Sequence, residues 1–554
     1  MLKSGHTDTF ARDNLPPQEQ WPDFRFTLPG LQYPERLNCA VELLDKWVEQ
    51  GKGDRVLMHT PDGKITYADF QATVNRICNV LTRRLGLVPG GRVLLRSANN
   101  PMMVATYFAV LKAGGVVVAT MPLLRAKELA YPVQKAQIAL ALCDVRLAEE
   151  MEKAKTMAPE LQRVVYWGGG DDSLEAMMAD EPDTFEACDT ASDDVCLIGF
   201  TSGTTGVPKG TMHFHRDMMA ICDAYAMNVL RPVEDDIFIG SPPLAFTFGL
   251  GGLVLFPMRV GASTVLLEAA PPDKLLAAIK EYKATVSFTA PTAYRAMLDM
   301  LQPGDIDSLR KCVSAGEALP KATWDAWHEA TGMKLLDGIG ATELLHIFIG
   351  CPEETLRPGA TGKPVPGYEA KVIDDHGNDV LPGTIGRLAV RGPTGCRYLA
   401  DDRQKDYVLN GWNVTGDAYM MDEDGYFWYQ ARSDDMIISS GYNIAGPEVE
   451  GALLTHPAVA FCGVVGSPDP DRGQIVKAYV QLKEGVSPSP ELAAELQTHV
   501  KNEVAPYKYP RAVVFVDTLP RTETGKLRRV ELRERAQQEA ARDAANDAPQ
   551  SKAG

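Results

Sequence analysis

The chain has 554 residues, 45% of them hydrophobic and 23% charged, with a formal net charge of −17. Such a length exceeds one compact core, so two or more domains are expected, and the acidic balance argues against a nucleic-acid or anionic-membrane binder. Ten cysteines without CxxC or zinc-like spacing read as reduced thiols; with no apolar leader and no membrane-length apolar run, a cytoplasmic protein without a membrane partner is expected.

Residues 1 to about 40 are rich in proline and aromatics (Pro16, Pro17, Trp21, Phe24, Phe26) and are expected to wrap the first domain. Residues 41–48 carry an amphipathic-helix pattern, and 56–59 with 64–67 read as a hairpin around Pro61-Asp62-Gly63. Thr66 to Asp69 resembles a helix start, followed by Phe70, Val74, Ile77 and Leu81 at helical spacing. A strand over 92–95, a helix over 102–111 and a strand over 115–119 then alternate, and strands at 139–142, 195–200, 263–266 and 285–288 continue the theme. Strand–helix–strand alternation predicts parallel sheet covered on both faces. From about residue 361 short strands and turns predict a β-rich subdomain. After residue 434 a smaller α+β unit is expected, with helices at 449–454 and 492–500 and strands at 459–465 and 477–482. The expected division is 1–433, 434–536, and a frayed helix passing into a disordered tail over 537–554.

The densest chemical signal is Thr201-Ser202-Gly203-Thr204-Thr205-Gly206-Val207-Pro208-Lys209-Gly210, directly after an apolar strand. Free backbone N–H groups, hydroxyls and one lysine can surround phosphate oxygens. The spacing is not that of a Walker A loop. Gly338-Ile339-Gly340-Ala341-Thr342-Glu343 places a carboxylate after a hydroxyl and a glycine turn, suited to Mg²⁺ beside a phosphate, or simply to a helix cap. Two further motifs are Thr415-Gly416-Asp417 and Arg521-Thr522-Glu523-Thr524-Gly525-Lys526. Gly170-Asp171-Asp172-Ser173-Leu174 echoes the serine site of phosphopantetheine carriers but has no room for a separate helical bundle.

Taken together, these motifs resemble those of adenylate-forming enzymes, the acyl- and aryl-CoA ligases and their relatives, over about residues 45–529, and most resemble benzoate-type aryl-CoA ligases. That resemblance implies an α/β fold: a large N-terminal AMP-binding domain of parallel sheets plus a β-rich subdomain, and a small mobile α+β C-terminal domain. It implies that Thr201, Ser202, Gly203, Thr204, Thr205, Gly206 and Lys209 hold ATP phosphates. Ser314, Ala315, Gly316, Glu317, Gly338, Ile339 and Gly340 would line the adenine and acyl site. Asp417 would accept both ribose hydroxyls and Arg432 contact the nucleotide. Thr342 and Glu343 would act in catalysis, with Glu343 on Mg²⁺, and Lys526 would bridge carboxylate and α-phosphate. Asp434 would be the hinge, and Ser440, Gly441 and Tyr442 would line the CoA path. Where the family has tyrosine the chain has Ile339, so an aliphatic face would cover the base.

The acyl pocket is expected from Phe246, Thr247, Phe248, Gly340 and His346, whose aromatic walls suit a flat acid such as benzoate or 2-aminobenzoate. The implied reaction is acyl-adenylate formation from Mg·ATP, then transfer to CoA with release of AMP. A different small acyl-CoA synthetase, or an adenylation enzyme loading a carrier protein, are the alternatives, and a homodimer is left open as the assembly.

Overall fold

The computed structural model describes residues 1–201, 207–432, 435–439, 442–470, 472–521 and 526–547. The α/β alternation of the first half resolves into two sheets. One has six strands, in the order Arg163–Trp167, Leu140–Asp144, Arg92–Arg96, Val116–Thr120, Val195–Thr201, Lys209–Phe214. All neighbours in it are parallel except the last pair, which is antiparallel. The other has nine strands: its parallel centre runs Leu335–Gly340, Lys311–Ser314, Val286–Thr289, Ile237–Gly240, Ser263–Val265, Val56–Thr60. Antiparallel strands close both of its edges.

Local chemistry starts these elements where the sequence indicates. Thr66 and Asp69 form a reciprocal capping box on the helix Tyr67–Asn79, whose Phe70, Val74 and Ile77 are buried. Asn100 caps Pro101–Lys112, a helix buried on nearly every face. Ser173, of the carrier-like stretch, accepts a hydrogen bond from the Ala176 N–H and caps the short helix Leu174–Met178. A helix cap accounts for that serine.

The β-rich subdomain is an antiparallel sheet of Glu369–Ile373, Ile385–Arg391, Trp412–Met421 and Val408–Leu409, with Phe427–Arg432 paired to Trp412–Met421. The small C-terminal unit has a sheet built on the long hairpin Val459–Asp469 and Gly473–Leu482, with helices Gly446–Leu454 and Pro490–Glu503 on its own core. The last helix runs Arg529–Asp547, so the stretch expected to fray from residue 537 continues as helix to 547, and residues 548–554 lie outside the described residues. Ala536 is buried, and Glu539 takes contacts from Lys477 at 2.7 Å and Tyr479 at 2.9 Å, which fix that turn to the hairpin. Among the described residues no helix is long and apolar enough to cross a membrane.

One charge lies deep in the first core. Lys112 is 2% exposed, and its ammonium meets Asp45 at 2.7 Å and Asn75 at 2.7 Å. A buried ammonium is tolerated only with such partners. Replacing Lys112 by methionine strands the Asp45 carboxylate and is expected to cost about 3–5 kcal/mol. The measurement is the thermal midpoint of the large domain, with partial recovery expected on adding Asp45→Asn.

Candidate active site

The six-stranded sheet ends in the antiparallel pair Val195–Thr201 and Lys209–Phe214. Ser202, Gly203, Thr204, Thr205 and Gly206 lie outside the described residues; Thr201 and Lys209 flank them. Lys209 Nζ is 3.8 Å from Glu343 Oε1 and 4.9 Å above the Tyr398 ring. A point charge is thus held at the base of the turn, between a carboxylate and an aromatic face.

Glu343 sits on the 3₁₀ turn Thr342–Leu344, just past the strand Leu335–Gly340. Its side chain is buried, and Tyr398 Oη donates to Oε1 at 2.6 Å. Burial first, then the Glu343 charge, raises the Tyr398 pKa, so the phenol keeps its proton for this bond. The turn ends at Leu345 with φ +71°, a left-handed conformation costly for a non-glycine residue and sustained by the surrounding packing. The carboxylate and the adjacent Thr342 hydroxyl are hard-oxygen donors of the kind that suits Mg²⁺.

Four groups expected at the nucleotide converge across the domain junction. Arg432 Nη1 donates to Asp417 Oδ1 at 2.9 Å, and Asp417 is buried. Burial raises the Asp417 pKa, opposed mainly by Arg432. Glu317 is likewise raised by burial, and Arg521 and Lys526 oppose that shift. Gly316 has φ +90°, a conformation that favours glycine, and lies directly against the Lys526 side chain. The Lys526 side chain retains solvent at the cleft mouth, yet protein crowds it enough to draw its pKa down. Glu317 and Asp417 oppose that fall, whereas Arg432 adds to it. Ser314 and Ala315 are buried beneath.

A narrow crevice adjoins Thr342, lined also by Tyr107, Leu197, Gly199, Phe200, Phe246 and Thr247. Phe248 and His346 lie deeper. The imidazole is 2% exposed, packed 4.6 Å from Phe256, 5.6 Å from Tyr225 and 5.8 Å from Phe248. Neither ring nitrogen reaches hydrogen-bond geometry, and burial lowers its pKa to about 3, so the ring is neutral. Gly251 makes its space: a Cβ there would come within 2.3 Å of the ring. Ile339 is partly buried, packed against the main core, and Gly338 and Gly340 lie flush against the strand Ile347–Gly350.

Asp434, Ser440 and Gly441 fall outside the described residues. Tyr442 is exposed on the small unit and stacks on Tyr507 at 4.6 Å. Sequence reasoning missed Tyr398, His213 and Asp337. Only Asp337 left a signal, a carboxylate within the apolar run Leu335-Leu336-Asp337-Gly338-Ile339; burial raises its pKa to about 8.

Two family models match the chain: the AMP-binding enzyme over residues 44–398 and the AMP-binding enzyme C-terminal domain over residues 448–526. The benzoate–CoA ligase of Thauera aromatica is 36% identical over 519 residues, covering 92% of this chain and 98% of that protein. The crystal structure of the anthranilate CoA ligase AuaEII in complex with anthranoyl-AMP superposes with a TM-score of 0.89 at 36% identity. That match covers 93% of this chain and all of the other. A benzoate CoA ligase from Burkholderia xenovorans LB400 gives a TM-score of 0.82 at 32% identity, over 90% of this chain and 100% of that one.

Tyr398→Phe removes the hydrogen bond to Glu343 and keeps the ring beneath Lys209. Turnover of ATP is expected to fall about tenfold, the effect of one hydrogen bond to a buried charge. Steady-state kinetics beside a melting curve check this, with the thermal midpoint nearly unchanged.

Proposed function

Because the chain belongs to the AMP-binding enzyme family and is an AMP-forming acid–thiol ligase, we propose that it joins a small aromatic carboxylate, of the 2-aminobenzoate or benzoate class, to CoA through an acyl-adenylate. The observation that carries this reading is the meeting of Lys526, Asp417 and Arg432 in one cleft, with a small, largely apolar cavity opening at Thr342.

In the first half-reaction a carboxylate oxygen of the acid attacks the α-phosphorus of ATP, and the bond to pyrophosphate breaks. Lys526 bridges the attacking carboxylate and the α-phosphate, so its charge opposes the negative charge gathered in the transition state. Asp417 accepts from the ribose hydroxyls, positioned by Arg432. Lys209 and the turn it borders hold the outer phosphates. Mg²⁺, held by Glu343 together with phosphate oxygens, would supply charge neutralisation there. In the second half-reaction the small unit turns about Asp434, carrying Lys526 away and the stretch from Ser440 to Tyr442 inward. The CoA thiol then attacks the acyl carbon, losing its proton as the bond to AMP breaks. Separating the steps lets one cleft serve both.

For the acid itself, Phe246 and Thr247 wall the cavity, and neutral His346 offers an unprotonated ring nitrogen nearby. A hydroxyl or imine nitrogen accepts from an ortho-amino group, which benzoate lacks.

The test is pyrophosphate release with Mg·ATP over benzoate, 2-aminobenzoate, hydroxybenzoates, phenylacetate, cinnamate, hexanoate and acetate, each with and without CoA. Turnover sustained by CoA and confined to small benzoates is expected; preference for aliphatic acids overturns the pocket reading, and indifference to CoA points to carrier loading. Thr247→Ala is expected to reduce any preference for 2-aminobenzoate over benzoate about fivefold. Lys526 acts as a cation, so rate is lost as pH rises through its pKa, which its crowding places below the ordinary lysine value. The alkaline limb of kcat/KM is therefore expected below the usual lysine range. In Lys526→Arg that limb should vanish, because the guanidinium stays charged.

A further inference from the structure

The turn bearing Thr342 and Glu343 is gripped from behind as well as through its carboxylate. His213, on the strand Lys209–Phe214, directs Nε2 at the Thr342 carbonyl oxygen at 2.8 Å. A carbonyl only accepts, so Nε2 carries the proton. On the other side of the ring, Nδ1 stands 3.7 Å from Asp217 Oδ2, and both side chains are fully buried. Asp217 is ion-paired in turn with Arg397, which is also fully buried. Arg397 directs Nε to the Met212 carbonyl at 3.2 Å and lies 3.8 Å over the Phe214 ring. The residue after Arg397 is Tyr398, the donor to Glu343. The strand holding His213 is bridged to Tyr398 at Thr211, and the Met212 N–H donates to the Arg397 carbonyl at 2.8 Å. The contacts thus close a ring: Thr342 carbonyl, His213, Asp217, Arg397, Tyr398, Glu343.

We propose that His213 is a positioning residue of the adenylation step. Its Nε2–H fixes the backbone of Thr342 so that the Thr342 hydroxyl and Glu343 carboxylate face the phosphates of bound nucleotide. This rests on the roles given to Thr342 and Glu343 above. Three observations carry it. The turn is strained at Leu345 (φ +71°), so without support it relaxes to another geometry. The Thr342 carbonyl is addressed by a side chain 129 residues distant in sequence, whose own strand flanks the phosphate turn. The ring is fully buried, with Asp217 standing 3.7 Å from Nδ1, so its surroundings leave the bond to the Thr342 carbonyl as the one direction it serves. A simply packed core histidine needs none of this directional arrangement.

The experiment compares His213→Gln, His213→Asn and His213→Ala in the intact chain. Glutamine extends far enough to donate to the Thr342 carbonyl, whereas asparagine is one methylene short and alanine donates nothing. Binding of a non-hydrolysable ATP analogue with Mg²⁺ is read by calorimetry, adenylation by benzoate-dependent pyrophosphate exchange, and folding by thermal midpoint. Alanine and asparagine variants are expected to bind the analogue about tenfold more weakly and to raise KM for Mg·ATP to match. Glutamine should restore both to within about twofold, although its thermal midpoint falls with the others, since it too loses the ring. Wild-type binding in the alanine or asparagine variant overturns the proposal, as does a glutamine variant no better than asparagine. Should alanine fail to fold, glutamine against asparagine decides alone. Glu343→Gln is run in the same assays: if it leaves Mg²⁺-dependent binding unchanged, the role of Glu343 fails; if it weakens binding while the His213 variants do not, only the His213 assignment falls.

Discussion

An acidic chain that handles a polyphosphate must assemble positive charge locally, against its own field. With a net charge of −17, the average surface repels the substrate's phosphates. The structure meets this constraint by bringing cations from distant parts of the chain to one cleft. Lys209 arrives from the six-stranded sheet, Arg432 from the β-rich subdomain and Lys526 from the small C-terminal unit. Each is placed beside a carboxylate: Glu343, Asp417 and Glu317 respectively. The pairings limit the repulsion among like charges before nucleotide arrives, and in the proposed mechanism the carboxylates also serve the ribose and the metal.

This placement explains why two sheets, rather than one, make the large domain. The strand Lys209–Phe214 edges one sheet and the Thr342–Glu343 turn follows a strand of the other, and the contact between them is made by side chains rather than by shared strand pairing. Tyr398 bonds to Glu343 and His213 to Thr342. A joint made of hydrogen bonds in a buried setting is stiff, because each donor left without its acceptor costs about 1–3 kcal/mol. The small unit meets the large one elsewhere, as where Arg295 reaches the Leu454 carbonyl at 3.5 Å. In the proposed two-step reaction that unit delivers its lysine for one step and removes it for the next, while the joint between the sheets stays in place.

Much of the fold was legible in the sequence because local signals there agree. Thr66 with Asp69, Asn100 and the apolar runs at Arg92–Arg96 and Val116–Thr120 each start or fill an element where local preference and burial coincide. The last helix went partly unread for the opposite reason. Its Ala-, Gln- and Asp-rich composition has little apolar face, and it is held by the Glu539 contacts to the hairpin, which no local pattern announces.

The candidate site was legible to the same degree and no further. Motif residues such as Glu343, Asp417 and Lys526 announce themselves because each is a charge beside glycine or hydroxyl residues in a short recognisable pattern. His213, Asp217, Arg397 and Tyr398 do not, since each looks like an ordinary strand or helix residue until the chain folds. Their sequence neighbours carry no hint that His213 ends up beside Thr342. Yet in the proposed mechanism these are the groups that turn the motif residues toward the substrate, for a charged side chain on a strained turn has no fixed direction of its own. Directional support at buried carbonyl and carboxylate oxygens therefore converts a list of catalytic residue types into a geometry.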